Sequence, residues 1–582
     1  MDNKRIAEIL NEIADMLSLE DYPTVRFEVR AYQKAALMIS TLQEPVEEIY
    51  KKGGTKALME LPGIGATMSK HIEELVNTGT LKKYEQLKKK YPIDMASLTA
   101  ITGLGAKRAI LLYKKLGVKN REDLKKAVEE HKIRGLAGFG DKSEEAIRQG
   151  LQLLEASSGR QMLGYVLPIA ERMVEKIRKS GLVENVMIAG SARRMRETVG
   201  DLDILAISKK NEEVMDFFTK MDEVSKIMLK GPTKSTVFLK IGLSCDLRVL
   251  EPLSFGAAMQ YFTGSKDHNI QVRQIAVSKG YKLNEYGLFN KRNKNIGGPT
   301  EESIYEKLGM QWMPPEMREA RGEVKLAQEH KIPKLVEAQE IRGDLHTHTK
   351  ETDGVNSLEE MTKAAVDLGY EYFATTNHSK SEYIARGMDD KGFAAYFKKV
   401  EKVRKGMEGT ISILYGAEVD ILKDGKLDLK NETLKRMDCV VAGVHTNFNM
   451  SQKDMTNRVI RAFETGLVNV FAHPTGRLIG DTQFHRARAP YAIDLEKVAD
   501  SAEENGVALE INAFPNRTDL NDTNIMLVSG RKIFFSIDTD AHSTSHLQFM
   551  RYGVGTARRG WLTKDRVLNA LPLKSLQKIL SK

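Results

Sequence analysis

The chain has 582 residues, of which 29% are charged and 41% hydrophobic, with a formal net charge of +10 and a pI near 9.1. That length implies several domains, and the basic balance favours a polyanionic partner. Only Cys245 and Cys439 are present, which excludes a disulfide framework. The charged N-terminus MDNKRIAEIL and the want of a membrane-spanning run argue for a cytoplasmic protein rather than a secreted or membrane one.

In chain order, the first stretch, to about residue 155, reads as short amphipathic helices. Three loops share an apolar-Gly-apolar-Gly core: LPGIG at Leu61–Gly65, ITGLG at Ile101–Gly105 and LAGFG at Leu136–Gly140. Glycine lets the backbone approach a neighbour closely, and the next helix offers unpaired N–H groups to a phosphate oxygen. Gly63, Gly65, Gly103, Gly105, Gly138 and Gly140 are therefore candidate contacts to a sugar-phosphate backbone. A single copy would read equally well as a C-cap glycine; three copies favour DNA.

From about Ser180 strands and helices alternate. VENVMIAG (Val183–Gly190), DLDILAIS (Asp201–Ser208) and VFLKIGLSCDLRVL (Val237–Leu250) are strand-like. Asp201 and Asp203 project from one strand face, and Asp246 on a later strand can complete a trio. Crowded carboxylates need cations, and oxygen ligands suit Mg²⁺ with substrate phosphates filling its shell. Two such ions suit an in-line phosphoryl displacement. A lone D-x-D is more often a polar strand end. Here GSARR, with Gly190, Ser191, Arg193 and Arg194, precedes it and can hold a phosphate.

The run GSARRMRETVGDLDIL, with YFTGSKDHNIQVRQIAVSKGYKLNEYGLF at Tyr261–Phe289, resembles the signature of family X DNA polymerases, the group that includes polymerase beta. The resemblance implies that Asp201, Asp203 and Asp246 ligate Mg²⁺ and that Ser191, Arg194 and Gly200 hold the triphosphate. Tyr261, Phe262, Thr263 and Gly264 would line the sugar, Asn269 would meet the nascent base, and Arg273 the template. Arg248 would neighbour the third aspartate. The first 90 or so residues are similar to the small domain that carries a deoxyribose-phosphate lyase in polymerase beta, where a lysine forms the Schiff base. The matching position here is His71, with Lys70 one residue earlier, and Glu28 stands at a basic position, so a weak or absent lyase is expected.

Beyond Arg342 apolar runs alternate with helical stretches, as in a parallel α/β barrel. Nine good metal ligands sit at ends of these runs: His346, His348, Asp353, His378, Glu418, His445, His473, Asp540 and His542. Buried groups of this kind must be paired or ligated. The set resembles that of PHP phosphoesterases, which implies a distorted barrel holding up to three ions. Mixed imidazole and carboxylate ligation suits Mn²⁺ or Zn²⁺. Arg477 is a candidate to neutralise a substrate phosphate, and His485 and His546 are expected at the surface.

The fold expected is multidomain, with α-helical helix-hairpin-helix N-terminal domains, an α+β nucleotidyltransferase palm and a C-terminal α/β distorted barrel. The boundaries expected are 1–88 and 89–155 for the helical domains, 156–255 for the palm, 256–315 for a nascent-base-pair subdomain, 316–340 for a linker and 341–582 for the barrel. The function implied is that of bacterial family X polymerases with a PHP domain: filling short gaps in DNA repair, with metal-dependent 3′–5′ exonuclease activity. The same chemistry would serve abasic-site incision and 3′-end cleaning. Expected partners are gapped or primed DNA and dNTPs, with no membrane and a monomeric chain. Two rivals are a small-molecule nucleotidyltransferase fused to a PHP phosphatase, and a non-catalytic DNA end-binding scaffold. The Gly-x-Gly loops and Arg273 weigh against the first, and the intact ligand sets against the second.

Overall fold

The computed structural model describes residues 3–581 except 19, 21, 23, 41–44, 62, 95–97, 99–103, 105, 142, 146, 149, 150, 152–159 and 480–487. Five helices, Asn3–Leu17, Val25–Ser40, Val46–Met59, Ala66–Thr78 and Lys82–Lys90, open the chain. Apolar residues at helical spacing, such as Ile6, Leu10 and Ile13, meet Ile72 and Leu75 in one core. A second, smaller core gathers Leu112, Leu124 and Val128 from helices Ala106–Leu116 and Arg121–Glu129.

The palm is a sheet of five strands: β1 (Asn185–Ile188), β2 (Asp201–Ile207), β3 (Val224–Lys230), β4 (Lys234–Leu239) and β5 (Ser244–Leu250). Their order is β1-β2-β5-β4-β3, with β2 and β5 parallel and the other pairs antiparallel. Helix Leu163–Lys179 lays Val166, Ala170, Met173 and Ile177 onto it. The next unit builds its core from Ala257, Val272, Leu288, Ile304 and Tyr305.

Residues 316–340, expected as a linker, are in large part packed instead. Val324 and Ala327 join that same core. Arg318 is fully buried, donating to Glu301 at 2.5 Å and to the Met313 carbonyl. Glu323 accepts from His268 Nδ1 at 2.7 Å. The charges of its first part, Arg318, Glu319 and Glu323, go into buried ion pairs, while those from Lys325 to Glu337 stay exposed.

The C-terminal part holds seven parallel strands in sequential order: β6 (Gly343–Asp344), β7 (Tyr372–Thr375), β8 (Ser412–Asp420), β9 (Cys439–Gly443), β10 (Val470–Phe471), β11 (Ala508–Asn512) and β12 (Phe535–Asp538). A parallel bridge between Thr347 and Ala541 draws the first and last strands together, so the sheet is nearly a closed barrel. Strands buried on both faces explain the near-continuous apolar runs of the sequence.

Helix Met550–Arg559 ties barrel to palm. Tyr552 enters the palm core, and Gly555 lets Met195 pack close: a Cβ there would lie 2.7 Å from Met195 Cε and 3.0 Å from its Cβ, so a larger residue would make Met195 shift. Arg477 pairs with Glu197, and Arg551 with Glu171, across the same interface. Among the described residues no helix is long and apolar enough to cross a membrane.

Candidate active sites and nucleic-acid interface

Parallel pairing of β2 with β5 sets Asp203 directly against Asp246, and Asp201 lies two residues away on the same face. Burial, then the charges of Asp201 and Asp246, push the Asp203 carboxyl up to about 7. Burial and Asp246 raise Asp201 as well. Asp246 accepts from Thr236 Oγ1 at 2.6 Å and lies 2.8 Å from Lys234 Nζ and 3.4 Å from Arg248. The sequence gave no sign of Lys234; it arrives because β4 pairs Lys234 opposite Arg248. A trio of this kind can hold divalent cations with oxygen ligands.

The expected nucleotide-side residues divide. Gly190 has φ +65°, and a Cβ there would meet Asp203 Oδ2 at 2.9 Å. Ser191 Oγ is buried with no hydrogen-bond partner among the described residues, as a phosphate donor would be. Gly200 faces the Arg160 guanidinium. Tyr261 and Phe262 meet edge to face at 5.0 Å, and Arg248 covers Phe262 at 4.5 Å. Asn269 is positioned by two hydrogen bonds: its Oδ1 accepts from Gln260 and its Nδ2 donates to the Tyr261 carbonyl. Thr263 is fully buried and accepts from Arg193, while Arg273 lies 5.9 Å from the Tyr261 ring centroid. Arg194 donates to Glu319 at 3.0 Å and to the Thr263 carbonyl, next to Gly264 at φ +71°. Glu319 also meets Arg196 at 3.2 Å and Arg559 of the barrel at 2.9 Å. Burial alone would raise Glu319, but Arg194 and Arg559 hold it down to about 2.

In the barrel all nine expected ligands converge at one rim, at or beyond the C-terminal ends of their strands. Glu418 is the hub. Its Oε1 lies 2.9 Å from His473 Nε2 and 3.0 Å from His445 Nε2. Its Oε2 lies 2.9 Å from His378, 3.4 Å from His346 and 3.5 Å from His348. Asp353 reaches His542 at 3.1 Å and His378 at 3.4 Å; Asp540 reaches His348 at 3.2 Å. Burial and the neighbouring His542 and His378 push His348 down to about 4, and burial with Arg517 pushes His473 to about 3. Despite burial, His378, His346 and His445 hold Glu418 well below the usual carboxylate range. Among the described residues, His346 Nε2, both nitrogens of His348, Asp353 Oδ1, His378 Nδ1 and Glu418 Oε2 are buried without a hydrogen bond. Orphaned donors of this kind, all metal-ligand types, fit cations. His473 at φ +31° and Asp540 at φ +52° hold the strained backbone common at such sites.

Several residues depart from the sequence reading. β11 supplies Glu510, fully buried, which accepts from His346 Nδ1 at 2.6 Å and so leaves Nε2 toward Glu418. Asp420 does the same for His445 at 3.3 Å. An acid inside the apolar run VALEIN was the available signal. Arg477 is spent on Glu197 and the Thr518 carbonyl, away from any substrate; Arg517, 3.4 Å from Asp540, and Arg488 line the cleft in its place. His546 is not a surface residue: it lines the cleft and stacks on Phe549 at 5.0 Å. His485 lies outside the described residues.

Two of the three glycine loops are described, and they fold alike. Ile64 N–H donates to the Leu61 carbonyl at 3.0 Å, as Phe139 N–H does to Leu136 at 2.9 Å, with Gly63 at φ +89° and Gly138 at φ +87°. Gly65 then caps helix Ala66–Thr78, and Gly140 accepts from Glu144 N–H. Gly103 and Gly105 lie outside the described residues.

Family models match four regions: a helix-hairpin-helix domain at 1–81, a SAM-like helix-hairpin-helix tandem at 95–153, a DNA polymerase beta thumb at 258–319 and a PHP domain at 344–514. The DNA polymerase/3′–5′ exonuclease PolX of Bacillus subtilis is 36% identical over 586 residues, covering all of both chains. The chain belongs to the PolX family. Parts of it are similar to other proteins. DNA polymerase lambda of Arabidopsis thaliana is 26% identical over 54% of this chain and 62% of its own. A probable phosphatase of Proteus mirabilis is 26% identical over 40% of this chain and 91% of its own.

In the N-terminal domain, the position where the resemblance to polymerase beta would place a lyase lysine is held by an imidazole engaged with a tyrosine. His71 stacks on Tyr32 and shares a 2.9 Å hydrogen bond with its hydroxyl, Lys70 is exposed, and Glu28 pairs with Lys83 at 2.9 Å.

Two outcomes follow. Because Arg559 holds both Glu319 and the Arg194 carbonyl, Arg559→Ala should raise the KM for dNTP about tenfold, the cost of losing a charge-assisted pair, and leave 3′ trimming within twofold; steady-state extension and degradation assays check it. An Asp203 carboxyl near 7 is protonated below that pH, so a cation competes with a proton there. Mn²⁺ affinity of the palm should rise up to about tenfold per unit as pH climbs to 7, then level off. Mn²⁺ EPR titrations of the protein and of Asp203→Asn, taken as a difference, read this out.

Proposed function

We propose that this protein is a DNA-templated DNA polymerase that fills short gaps in repair, and that its barrel is a metal-dependent 3′–5′ exonuclease. The observation that carries the reading is the presence of two separate carboxylate-centred clusters, one on adjoining palm strands and one hubbed on Glu418, in a chain whose Bacillus relative is named for both activities.

In the palm, Asp201, Asp203 and Asp246 would hold Mg²⁺. Bound Mg²⁺ supplies charge neutralisation for the triphosphate and the reacting oxygens. Ser191 Oγ, with no partner of its own, donates to a phosphate oxygen, and Arg194 reaches the triphosphate by sharing or leaving Glu319. Asp246, flanked by Lys234 and Arg248, serves the primer hydroxyl. The paired aromatics Tyr261 and Phe262 wall the sugar, and the two alike glycine turns grip the duplex backbone without reading sequence.

In the barrel, His346, His348, Asp353, His378, Glu418, His445, His473, Asp540 and His542 would hold up to three ions, Mn²⁺ or Zn²⁺ by the mixed donor set. Bound ions supply Lewis acidity toward the phosphodiester and the attacking water. Glu510 and Asp420 orient His346 and His445, and Arg517 adds positive charge beside a scissile phosphate. The same cleft suits abasic-site incision and removal of 3′ blocking groups. We read the enzyme as a cytoplasmic monomer acting on gapped or primed DNA with dNTPs.

A labelled primer on a one-nucleotide gap, with and without dNTPs in Mg²⁺ and then Mn²⁺, tests both halves. Asp203→Ala should cut dNTP addition by at least 10³-fold, an order-of-magnitude expectation for a lost metal ligand, and spare 3′ trimming. His346→Ala should do the reverse. Loss of both activities from either single substitution in a folded protein contradicts the two-site assignment.

A further inference from the structure

Two cavities adjoin in the barrel. One, of about 840 Å³, is the cleft over the histidine cluster; the other, of about 1000 Å³, is a trough lined by polar side chains that include Lys423 and Arg461. Phe448 and Arg488 line both, with the guanidinium 4.1 Å from the Phe448 ring centroid, so the trough opens directly beside the cleft. Lys423 and Arg461 are exposed and form no ion pair among the described residues. Among the described residues the trough lining has one acid, Asp454, which accepts from Ser451 Oγ at 2.7 Å and is outnumbered by Lys423, Arg461 and Arg488.

The mouth of the cleft also carries an uncharged tip. Tyr383 is 86% exposed and Ile384 99%, and Val355 nearby is 76% exposed. Exposure of this extent in neighbouring large apolar side chains marks a contact surface. The tip belongs to a loop whose feet are fixed to the cluster itself. Ser379 N–H donates to the Glu418 carbonyl at 2.9 Å, Met388 N–H to the His378 carbonyl at 2.9 Å, and Ser381 N–H to Asp428 at 2.9 Å. At Gly387 the loop closes so tightly that a Cβ would lie 1.9 Å from the Ser379 carbonyl oxygen. The backbone therefore presents Tyr383 and Ile384 to solvent at a set distance from His378.

We propose that a DNA strand crosses this barrel with one polarity: upstream phosphates lie in the trough beside Lys423 and Arg461, and the unpaired 3′-terminal nucleobase rests on Tyr383 and Ile384. The assignment rests on the exonuclease reading and follows from the chemistry of a strand end. Every nucleotide upstream of the scissile bond brings a phosphate that needs a cation. The terminal nucleoside beyond that bond brings none, and offers an apolar base face that stacks on an aromatic ring. A paired terminal base keeps its face within the duplex, so the tip selects frayed or mismatched ends.

The test uses the full-length protein in EDTA, so that binding is read without cleavage. Single-stranded oligonucleotides carry 2-aminopurine at the 3′ terminus or five nucleotides inward. The terminal probe should be quenched on binding and the inner one should not. A Tyr383→Ala/Ile384→Ser variant should lose the terminal quench and bind roughly tenfold more weakly, the usual scale of one stacked base. Lys423→Ala/Arg461→Ala should keep the terminal quench and flatten the dependence of log affinity on log salt by roughly 1 to 2 units. A terminal probe that is silent in the wild type, or that still responds in the Tyr383/Ile384 variant, overturns the proposal. So does an unchanged salt slope. Hydrolysis of bis(p-nitrophenyl) phosphate by the Mn²⁺-loaded wild type tests the phosphoesterase reading separately: its failure sinks that reading, while the strand assignment is judged on the quench and salt data.

Discussion

Carboxylates cannot stay ionised side by side in a part-buried site unless positive charge answers them, and both centres of this molecule are built on that constraint. In the palm the constraint is set by burial and strand register. Pairing β2 with β5 in parallel sets the buried Asp203 beside Asp246 and near Asp201; burial first, then Asp201 and Asp246, push its carboxyl up to about 7. In the barrel the same problem has a different composition. Glu418 is surrounded by imidazoles, and Glu510 and Asp420 stand behind two of them to fix which nitrogen faces inward. Oxygen-rich crowding suits a hard ion that shares its shell with phosphates; imidazole-rich crowding suits a transition ion.

The two centres are not simply strung together. Glu319, from a segment that looks like a linker in composition, joins Arg194 and Arg196 of the palm to Arg559 of the barrel. Arg559 in turn pairs with Asp522, which also meets Arg321. The loop that bears the expected phosphate donors is thus seated on a barrel helix, with Gly555 giving room for Met195. Under the proposed role of Arg194, a triphosphate arriving there would compete with Glu319, and nucleotide binding and the palm–barrel interface would draw on the same charges.

Much of this was legible in the sequence because it rests on local periodicity. The D-x-D pair lies on one strand, where side-chain alternation predicts a shared face, and the nine ligands, spaced near the ends of apolar runs, all come together around Glu418, Asp353 and Asp540. What escaped depends on contacts between distant segments. Lys234 reaches Asp246 only through the pairing of β4 with β5. Arg477 looked like a phosphate ligand, yet it is turned to Glu197 by docking of the palm, and Arg517 takes the cleft. The bonds that Gln260 and the Tyr261 carbonyl make to the Asn269 amide likewise join segments the sequence does not pair. Residues 316–340 misled because buried ion pairs and solvated charge have the same composition. Glu510 alone was within reach: an acid amid VALEIN has no reason to be there unless a buried cation or imidazole receives it.

The most direct measurement is anomalous diffraction from crystals of the full-length protein equilibrated with Mn²⁺. The account requires peaks at two separate places, one between Asp203 and Asp246 and one or more around Glu418. Peaks confined to a single cluster, or ions seated elsewhere while both clusters stay empty, would contradict it.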